Sequence, residues 1–197
     1  MTNWQEVALG IQYVKRYHMC DMGRQQNVAE HSYNVAMIVL ETAMWLDERN
    51  RNVVALLRRM MMALTHDLPE YFTGDLDYWV KAKEEMNGSW QRMEEAVITD
   101  FVDSLPKYMR DDILPAMSSM EQGTLDYCLV KQADYLELTN FCMNDAERGN
   151  RKSLKIAGVG LKLIHKYDHE DLNDDGCPLR MMEYALKIKF RRLGEGR

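Results

Sequence analysis

The sequence predicts an all-α protein, and three observations support this prediction. Apolar residues recur at intervals of three and four through most of the chain, as they do on one face of a helix. No stretch alternates apolar and polar residues as a half-buried strand requires. Most prolines and glycines fall between the periodic stretches. Because the chain has 197 residues, 46% of them hydrophobic, we expect one domain with one substantial core over residues 1–197.

The first half of the chain predicts three helices. The first runs over residues 4–17. The second follows Asn27, a good capping residue, and His31 lies on its apolar stripe. The third runs over residues 53–66. Pro69 then predicts a kink or an end, because proline lacks an amide hydrogen and restricts the residue before it.

The second half of the chain predicts further helices separated by breaks. Residues 87–89, Asn-Gly-Ser, have the sequence of a turn that ends in a capping serine. A short helical piece is expected between Pro106 and Pro115, and Pro178 suits the first turn of the last helix. The other predicted helices cover residues 78–86, 90–102, 125–147, 153–165 and 178–192.

Composition and charge exclude several functions. The net charge of −6 argues against duplex nucleic acid as a partner, although a small phosphorylated ligand can still bind where a cation reverses the local sign. The four cysteines form no CxxC pair and no disulfide framework. No apolar run reaches membrane-spanning length and no secretory signal opens the chain. We therefore expect a cytoplasmic protein that binds neither duplex nucleic acid nor membrane.

Ionisable side chains on the apolar stripes of three separate helices are the strongest chemical signal. They are His31, His66, Asp67 and Asp134. Burial of these groups without compensation would cost several kcal/mol, and a divalent cation held by two imidazoles and two carboxylates removes that cost. The structural alternative is a salt bridge, for example from Asp134 to Lys131 or Arg59.

Four ordered motifs suggest a family. They are Asn-Val-Ala-Glu-His-Ser at 27–32, His-Asp at 66–67, Thr-Gly-Asp at 73–75 and Val-Lys-Gln-Ala-Asp at 130–134. In this order and spacing they resemble the HD-domain phosphohydrolases, above all the bacterial 5'-deoxynucleotidases that hydrolyse deoxynucleoside monophosphates. The resemblance covers roughly residues 4–150 and implies an HD-domain helical bundle. The helices over residues 151–197 match only in pattern.

The resemblance also implies roles for individual residues. The four ionisable groups named above match the family's metal ligands, and Glu70 matches a position implicated in activating the attacking water. Arg16 matches a residue that orients the substrate phosphate, so Glu70 and Arg16 form the implied catalytic pair. The implied substrate-binding residues are Arg16, Tyr17, His66, Asp75, Leu76, Asp77, Tyr78 and Asp134.

Two departures from the family pattern lie in substrate recognition. Tyr17 stands where the bacterial enzymes carry a tryptophan against the nucleoside. Leu76-Asp77-Tyr78 stands where they carry Leu-Pro-Thr. The resemblance therefore implies the metal chemistry but leaves the nucleotide preference open.

The expected cofactor is one divalent ion, Co, Mn, Zn or Mg. Binuclear HD enzymes use additional histidines in the intervening helices, whereas the remaining histidines here lie outside the motifs. The donor set of two nitrogens and two oxygens does not choose among these metals.

Three functions compete at this point. The leading hypothesis is hydrolysis of the 5'-phosphate ester of a deoxynucleoside monophosphate. The second is release of triphosphate from a deoxynucleoside triphosphate, since compact phage HD enzymes share the pattern. The third is a catalytically idle nucleotide-binding scaffold, against which the retention of Glu70 and Arg16 argues. We expect a small deoxynucleotide as the ligand and a homo-oligomer, a dimer or larger, as the assembly.

Overall fold

The computed structural model describes residues 4–18, 20–48, 52–76, 84–110 and 123–195, and the regular secondary structure in these ranges is helical. Their one strand-like feature is an isolated antiparallel bridge between Lys15 and Asn27. The prediction of an all-α protein is therefore confirmed. No helix in the described ranges is long and apolar enough to cross a membrane.

The α-helices are numbered here in chain order. They are α1 (Trp4–Gly10), α2 (Val28–Leu46), α3 (Val53–Thr65), α4 (Glu70–Thr73), α5 (Glu84–Ser104), α6 (Leu125–Glu147), α7 (Leu154–Ile164) and α8 (Pro178–Gly194). Residues 107–110 are also helical. Short 3₁₀ helices cover Ile11–Tyr13, Arg151–Ser153, His165–Tyr167 and Glu170–Leu172.

Capping side chains fix the start of the helices that carry the predicted ligands. The side chain of Asn27 accepts a hydrogen bond from the Glu30 amide at 2.8 Å and begins α2. Thr124 accepts one from the Tyr127 amide at 3.3 Å and begins α6. Each cap satisfies an amide that would otherwise lack a partner in the first turn. His31 is consequently held in the first turn of α2.

The longest described helix, α6, lies at the centre of the bundle. It packs against α2, α3, α7 and α8. The main core is formed by apolar side chains from these helices, all fully buried, including Val35, Val39, Met62, Leu129, Leu136 and Ile164. Polar groups that α6 directs toward α2 are therefore removed from water.

A second, smaller core joins the N-terminal segment to α5. Val7, Val28 and Leu68 are buried there together with Phe101. The ring of Trp4 stacks on Phe101 with centroids 5.8 Å apart. This core holds the segment after α1 against the start of α2.

The first helix is shorter than the sequence predicts. It is predicted to reach Tyr17, whereas α1 ends at Gly10 and the chain is extended from Val14. The reason is tertiary pairing: the Val14 carbonyl accepts a hydrogen bond from Val28 at 2.9 Å, and the Arg16 amide donates to Gln26 at 2.8 Å. These bonds satisfy backbone groups that a helix would have paired internally.

The turn predicted at residues 87–89 is wrong, because α5 runs through it. A glycine inside a helix costs only about 1 kcal/mol relative to alanine, which the flanking helical residues outweigh here. Residues 77–83 and 111–122 lie outside the described ranges. Most of the helix predicted over residues 78–86 and part of the piece between the prolines at 106 and 115 therefore fall there.

The remaining helix predictions agree with the structure to within two residues, except that α5 begins six residues before the helix predicted over residues 90–102. The helix over residues 125–147 is confirmed at both ends, and α7 and α8 match the last two predicted helices. Pro178 is the first residue of α8, as its missing amide hydrogen favours.

Candidate metal centre

Three helices bring the four predicted ligands together. His31 comes from the first turn of α2, His66 and Asp67 directly follow α3, and Asp134 lies in the middle of α6. Ligand atoms of His31, His66 and Asp134 all lie within 4.8 Å of one another. The Oδ2 atom of Asp67 lies 3.5 Å from Nε2 of His31 and 3.3 Å from Nε2 of His66. The constellation inferred from the sequence is one cluster in space.

Hydrogen bonds fix which nitrogen each imidazole presents to the cluster. Nδ1 of His31 lies 2.6 Å from Oε2 of Glu137, and Nδ1 of His66 lies 2.8 Å from the carbonyl oxygen of Ala63. Both oxygens are acceptors, so each Nδ1 carries the hydrogen and the neutral ring has its lone pair on Nε2. Both Nε2 atoms are buried and make no hydrogen bond with the described residues. Two buried lone pairs beside carboxylates fit a metal ion.

The electrostatics of the cluster favour a positive charge at its centre. Burial and the nearby Arg16 guanidinium lower the pKa of His31, but the carboxylates of Asp134 and Glu137 outweigh them and raise it to about 9. A cation at Nε2 would supply the charge that a proton supplies in its absence. The site therefore attracts a metal ion by charge as well as by donor type.

The two carboxylates remain ionised although they are buried. Burial raises the pKa of Asp67, but the imidazoles and Arg16 outweigh burial and hold that pKa well below its usual range. Burial likewise raises the pKa of Asp134, and the imidazole of His31 with the charge of Lys131 lowers it further than burial raises it. Two charged carboxylates thus face the two imidazoles.

The alternative that Asp134 forms a salt bridge with Arg59 is wrong. Arg59 pairs instead with Asp126, at 2.7 Å, and with Asp47, at 2.9 Å. Oδ1 of Asp134 lies 3.1 Å from Nε2 of His31. Lys131, one helical turn before Asp134, adds a nearby positive charge.

Arg16 lies at the edge of the cluster and is only 7% exposed. Its Nη1 lies 3.1 Å from Oδ2 of Asp67. Burial lowers the pKa of the guanidinium, but its neighbours, among them Asp67, Asp134 and Glu70, outweigh burial and raise it. The sequence-predicted phosphate ligand therefore shares a carboxylate with the metal ligands.

Tyr17 is held in an unusual backbone conformation next to Arg16. Its φ of +56° lies in the left-handed region that residues other than glycine rarely adopt. Its amide donates to Oδ2 of Asp75 at 2.9 Å, and its ring stacks on Phe141 with centroids 5.7 Å apart. Such strain persists where surrounding contacts impose it, commonly at functional sites. Two predicted recognition residues, Tyr17 and Asp75, are thus bonded to each other.

Glu70 is buried, with 4% of its surface exposed, at the first position of α4. Pro69 precedes it, so the predicted break in the helix is confirmed at that point. The carboxylate lies close enough to Arg16 to act on its charge. Leu76 is half-buried, and Asp77 and Tyr78 lie outside the described residues.

Sequence reasoning missed the residues that surround the ligands. Oε1 of Glu137 accepts hydrogen bonds from Nε2 of Gln26 at 2.6 Å and from Nδ2 of Asn34 at 3.1 Å. Burial raises the pKa of Glu137, but His31 outweighs burial and lowers it, so the carboxylate stays charged. Glu137 follows Asp134 by three residues on one helix, and that spacing was the available signal.

Comparison of this chain with known proteins identifies its family. Residues 4–173 match the family described as 5'-deoxynucleotidase YfbR-like. A 5'-deoxynucleotidase of Photorhabdus laumondii is 25% identical over 180 residues, 90% of this chain and 86% of that protein. The 5'-deoxynucleotidase YfbR of Escherichia coli is 28% identical over 145 residues, 73% of each chain.

Solved structures show the same fold. An HD-domain phosphohydrolase of Listeria innocua superposes with a TM-score of 0.73 at 20% identity, covering 96% of this chain and 87% of that one. The cyanophage S-2L HD phosphohydrolase, bound to dA and one catalytic Zn²⁺ ion, superposes with a TM-score of 0.62 at 16% identity, covering 100% and 99%. The prediction of an HD-domain helical bundle is confirmed.

The family match extends past residue 150 into the C-terminal helices. The predicted division between a motif-bearing core and helices over residues 151–197 stays a prediction. The match spans most of the chain and includes every motif from which the site was inferred. The chain belongs to the YfbR-like 5'-deoxynucleotidase family and is a phosphoric ester hydrolase.

Proposed function

We propose that this protein is a metal-dependent 5'-deoxynucleotidase, which hydrolyses a deoxynucleoside monophosphate to the deoxynucleoside and phosphate. One observation carries the proposal: two buried imidazole nitrogens, which make no hydrogen bond with the described residues, converge with two ionised carboxylates beside a buried arginine. The names of the relatives support the substrate class.

His31, His66, Asp67 and Asp134 would hold one divalent ion. The single Zn²⁺ in the cyanophage enzyme supports a count of one, and reconstitution with Co, Mn, Zn and Mg decides the identity. When bound, such an ion lowers the pKa of a water molecule from about 15.7 toward 7 and polarises a phosphoryl oxygen.

Arg16 would bind and orient the phosphate. Its planar guanidinium can donate two parallel hydrogen bonds to phosphate oxygens, and it keeps its charge at any physiological pH. The ion pair with Asp67 holds the side chain beside the metal ligands before substrate arrives. The phosphate would therefore be positioned without further ordering of that side chain.

Glu70 would act as the general base and general acid of the reaction. A buried carboxylate near Arg16 can accept a proton from the water that attacks phosphorus. The same carboxyl can return that proton to the 5' oxygen that leaves with the deoxynucleoside. One residue can therefore both accept and return the proton.

The nucleoside would lie against Tyr17. Its ring, stacked on Phe141, offers a flat apolar wall, and its amide is fixed by Asp75. The loop from Asp75 through Tyr78 would contact the deoxyribose, and His66 and Asp134 would border the phosphate. These substrate contacts are inferred from the family pattern.

A nucleotide screen tests the proposed function. The metal-reconstituted protein is incubated with deoxynucleoside and ribonucleoside mono-, di- and triphosphates, and nucleoside, phosphate and triphosphate are quantified. We expect equimolar deoxynucleoside and phosphate from monophosphates. If the protein releases triphosphate from a deoxynucleoside triphosphate and does not hydrolyse monophosphates, the proposal is wrong and the protein is a triphosphohydrolase. If no nucleotide is hydrolysed, the remaining hypothesis is a catalytically idle nucleotide-binding scaffold.

We also propose that the chain assembles as a homo-oligomer. Exposed apolar side chains at helical spacing support this on two helices that pack together: Tyr33, Met37 and Met44 on α2, and Met181, Tyr184 and Ile188 on α8. Light scattering after size exclusion should give at least twice the chain mass. A monomer at micromolar concentration would contradict the proposal. The cytoplasmic location stays a prediction.

A further inference from the structure

The carboxylate of Glu137 is a junction between parts of the site that lie far apart in sequence. It is buried on α6, one helical turn after Asp134, and is 4% exposed. Oε2 accepts the Nδ1 hydrogen of His31 at 2.6 Å. Oε1 accepts from Gln26 at 2.6 Å and from Asn34 at 3.1 Å. Three donors from two other segments of the chain therefore converge on one charged group.

Gln26 extends this junction to Arg16. Its side chain donates to Glu137, while its backbone oxygen accepts the Arg16 amide at 2.8 Å. Gln26 is 2% exposed, so both bonds form away from water. A continuous set of hydrogen bonds thus runs from the metal ligand His31 through Glu137 and Gln26 to the backbone of Arg16.

We propose that Glu137 is a positioning residue for both halves of the site: it fixes His31 as a metal ligand and, through Gln26, fixes the segment that carries Arg16. The proposal rests on the proposed function, because it assumes that His31 binds a metal and Arg16 a phosphate. A carboxylate bonded to the distal nitrogen of a metal-binding imidazole fixes the tautomer and raises the basicity of the ligating nitrogen.

In the structure, both oxygens of residue 137 act as acceptors. In Glu137→Gln, the amide group must direct its NH₂ either at His31 or at Gln26 and Asn34. The first orientation favours the His31 tautomer with hydrogen on Nε2, which cannot bind a metal. The second keeps an acceptor for His31 but without the carboxylate charge, and it sets NH₂ against the donors of Gln26 and Asn34, so that their amides must turn over. Either outcome weakens one half of the site.

The first measurement is metal binding without nucleotide. Co²⁺ is titrated into metal-free protein by calorimetry, and the visible absorption of the bound ion is recorded. We expect Glu137→Gln to lose about 10–100-fold in Co²⁺ affinity and to change the absorption spectrum. The double variant Glu137→Gln with Gln26→Glu should regain affinity, because the introduced amide can then donate to position 26 and accept from His31.

Asp145→Asn is the matched control. Asp145 is also a buried carboxylate on α6, and it accepts hydrogen bonds from Gly23 and Asn150. Its replacement should lower the melting temperature without changing Co²⁺ affinity. Circular dichroism on each variant confirms that the bundle is folded, and the double variant remains informative if Glu137→Gln alone is unstable.

The second measurement separates the two halves of the site. At saturating metal, Glu137→Gln should still show a raised KM for nucleotide, because Arg16 is less well placed. Unchanged Co²⁺ affinity and spectrum in Glu137→Gln, or no recovery in the double variant, would overturn the positioning role while leaving the proposed function intact. Absence of metal binding by the unmodified protein would overturn both.

Discussion

Glu70 is the first residue of α4, directly after the capping residue Pro69, and its carboxylate is buried. Because it transfers a proton and binds no metal in our account, Glu70→Gln should keep its ion and lose about 10²–10⁴-fold in kcat. Turnover at saturating substrate and metal content by elemental analysis are measured together. Glu95→Gln, on the exposed side of α5, is the control. Near-normal turnover in Glu70→Gln would remove Glu70 from the mechanism.

Tyr17 should govern recognition rather than metal chemistry. Tyr17→Ala removes the ring that stacks on Phe141, so we expect a higher KM and an altered ratio of kcat/KM for deoxy- against ribonucleotides, with metal retained. Tyr17→Phe is the matched control, since the buried hydroxyl makes no hydrogen bond with the described residues. It should behave like the unmodified protein. If Tyr17→Ala leaves every ratio unchanged, the ring serves only packing.

At the scale of residues, the sequence indicated the ligands but not what orients them. His31, Asp67 and Asp134 stand out because ionisable groups on apolar stripes need compensation. Glu137 was recognisable only by its spacing from Asp134, since a buried glutamate looks like a solvated one until its partners are known. The bond from the Tyr17 amide to Asp75 joins residues 58 apart, which no local pattern indicates.

At the scale of elements, α8 carries a buried charge that is paired within the helix and with His165. Glu183 is buried and lies 2.6 Å from Lys187, 2.9 Å from Arg180 and 3.0 Å from His165. Burial raises the pKa of Glu183, but the cations outweigh burial and lower it from 4.5. A lowered pKa in the folded state stabilises the protein fully above pH 4.5, and this contribution is lost as the pH falls through the lower folded value.

Glu183→Gln should therefore destabilise the protein at pH 7 by about 1–3 kcal/mol, the usual cost of removing a buried charged hydrogen-bond partner. The difference from the unmodified protein should narrow as the pH falls below 4.5. Urea unfolding at several pH values measures both effects. A difference that is constant from pH 7 to pH 3 would show that the charge of Glu183 does not stabilise α8.

Gly160 permits the close packing of α7 on α6. A Cβ there would overlap Oγ1 of Thr139 and would lie 2.8 Å from Cδ2 of Leu138. Gly160→Ala should consequently destabilise the fold by about 1–3 kcal/mol through overpacking. Gly88→Ala in α5 is the control: its Cβ would meet only the flexible end of Arg92 at 3.5 Å, so it should stabilise by up to about 1 kcal/mol. Equal melting temperatures for the two variants would contradict this packing.

Helix ends were predictable from sequence where a cap or a proline marks them, as at Asn27 and Pro178. They were not predictable where tertiary contacts decide. The end of α1 depends on backbone pairing with residues 26–28, and α5 passes through Asn-Gly-Ser because its flanks favour the helix. Glycine disfavours a helix interior, yet the packing of α7 on α6 needs a glycine at position 160.

At the scale of the whole molecule, the bundle brings the ligand-bearing ends and faces of α2, α3 and α6 together at the metal centre. The all-α class and the presence of a metal site could be read from periodicity and from ionisable groups on apolar stripes. The central place of α6 could not, since it depends on how the helices pack. In this acidic chain, Arg16 places one buried positive charge at the site, where it lies among carboxylates.

Hydrolysis should depend on an ion that four side chains hold, and elemental analysis of ligand variants measures that ion. The unmodified protein, His66→Ala, Asp67→Ala and the control His165→Ala are reconstituted and freed of unbound metal, and their helical content is checked by circular dichroism. We expect about one ion per chain in the unmodified protein and the control, and none in the two ligand variants, with all four proteins remaining helical. Undiminished metal in both ligand variants would contradict this expectation.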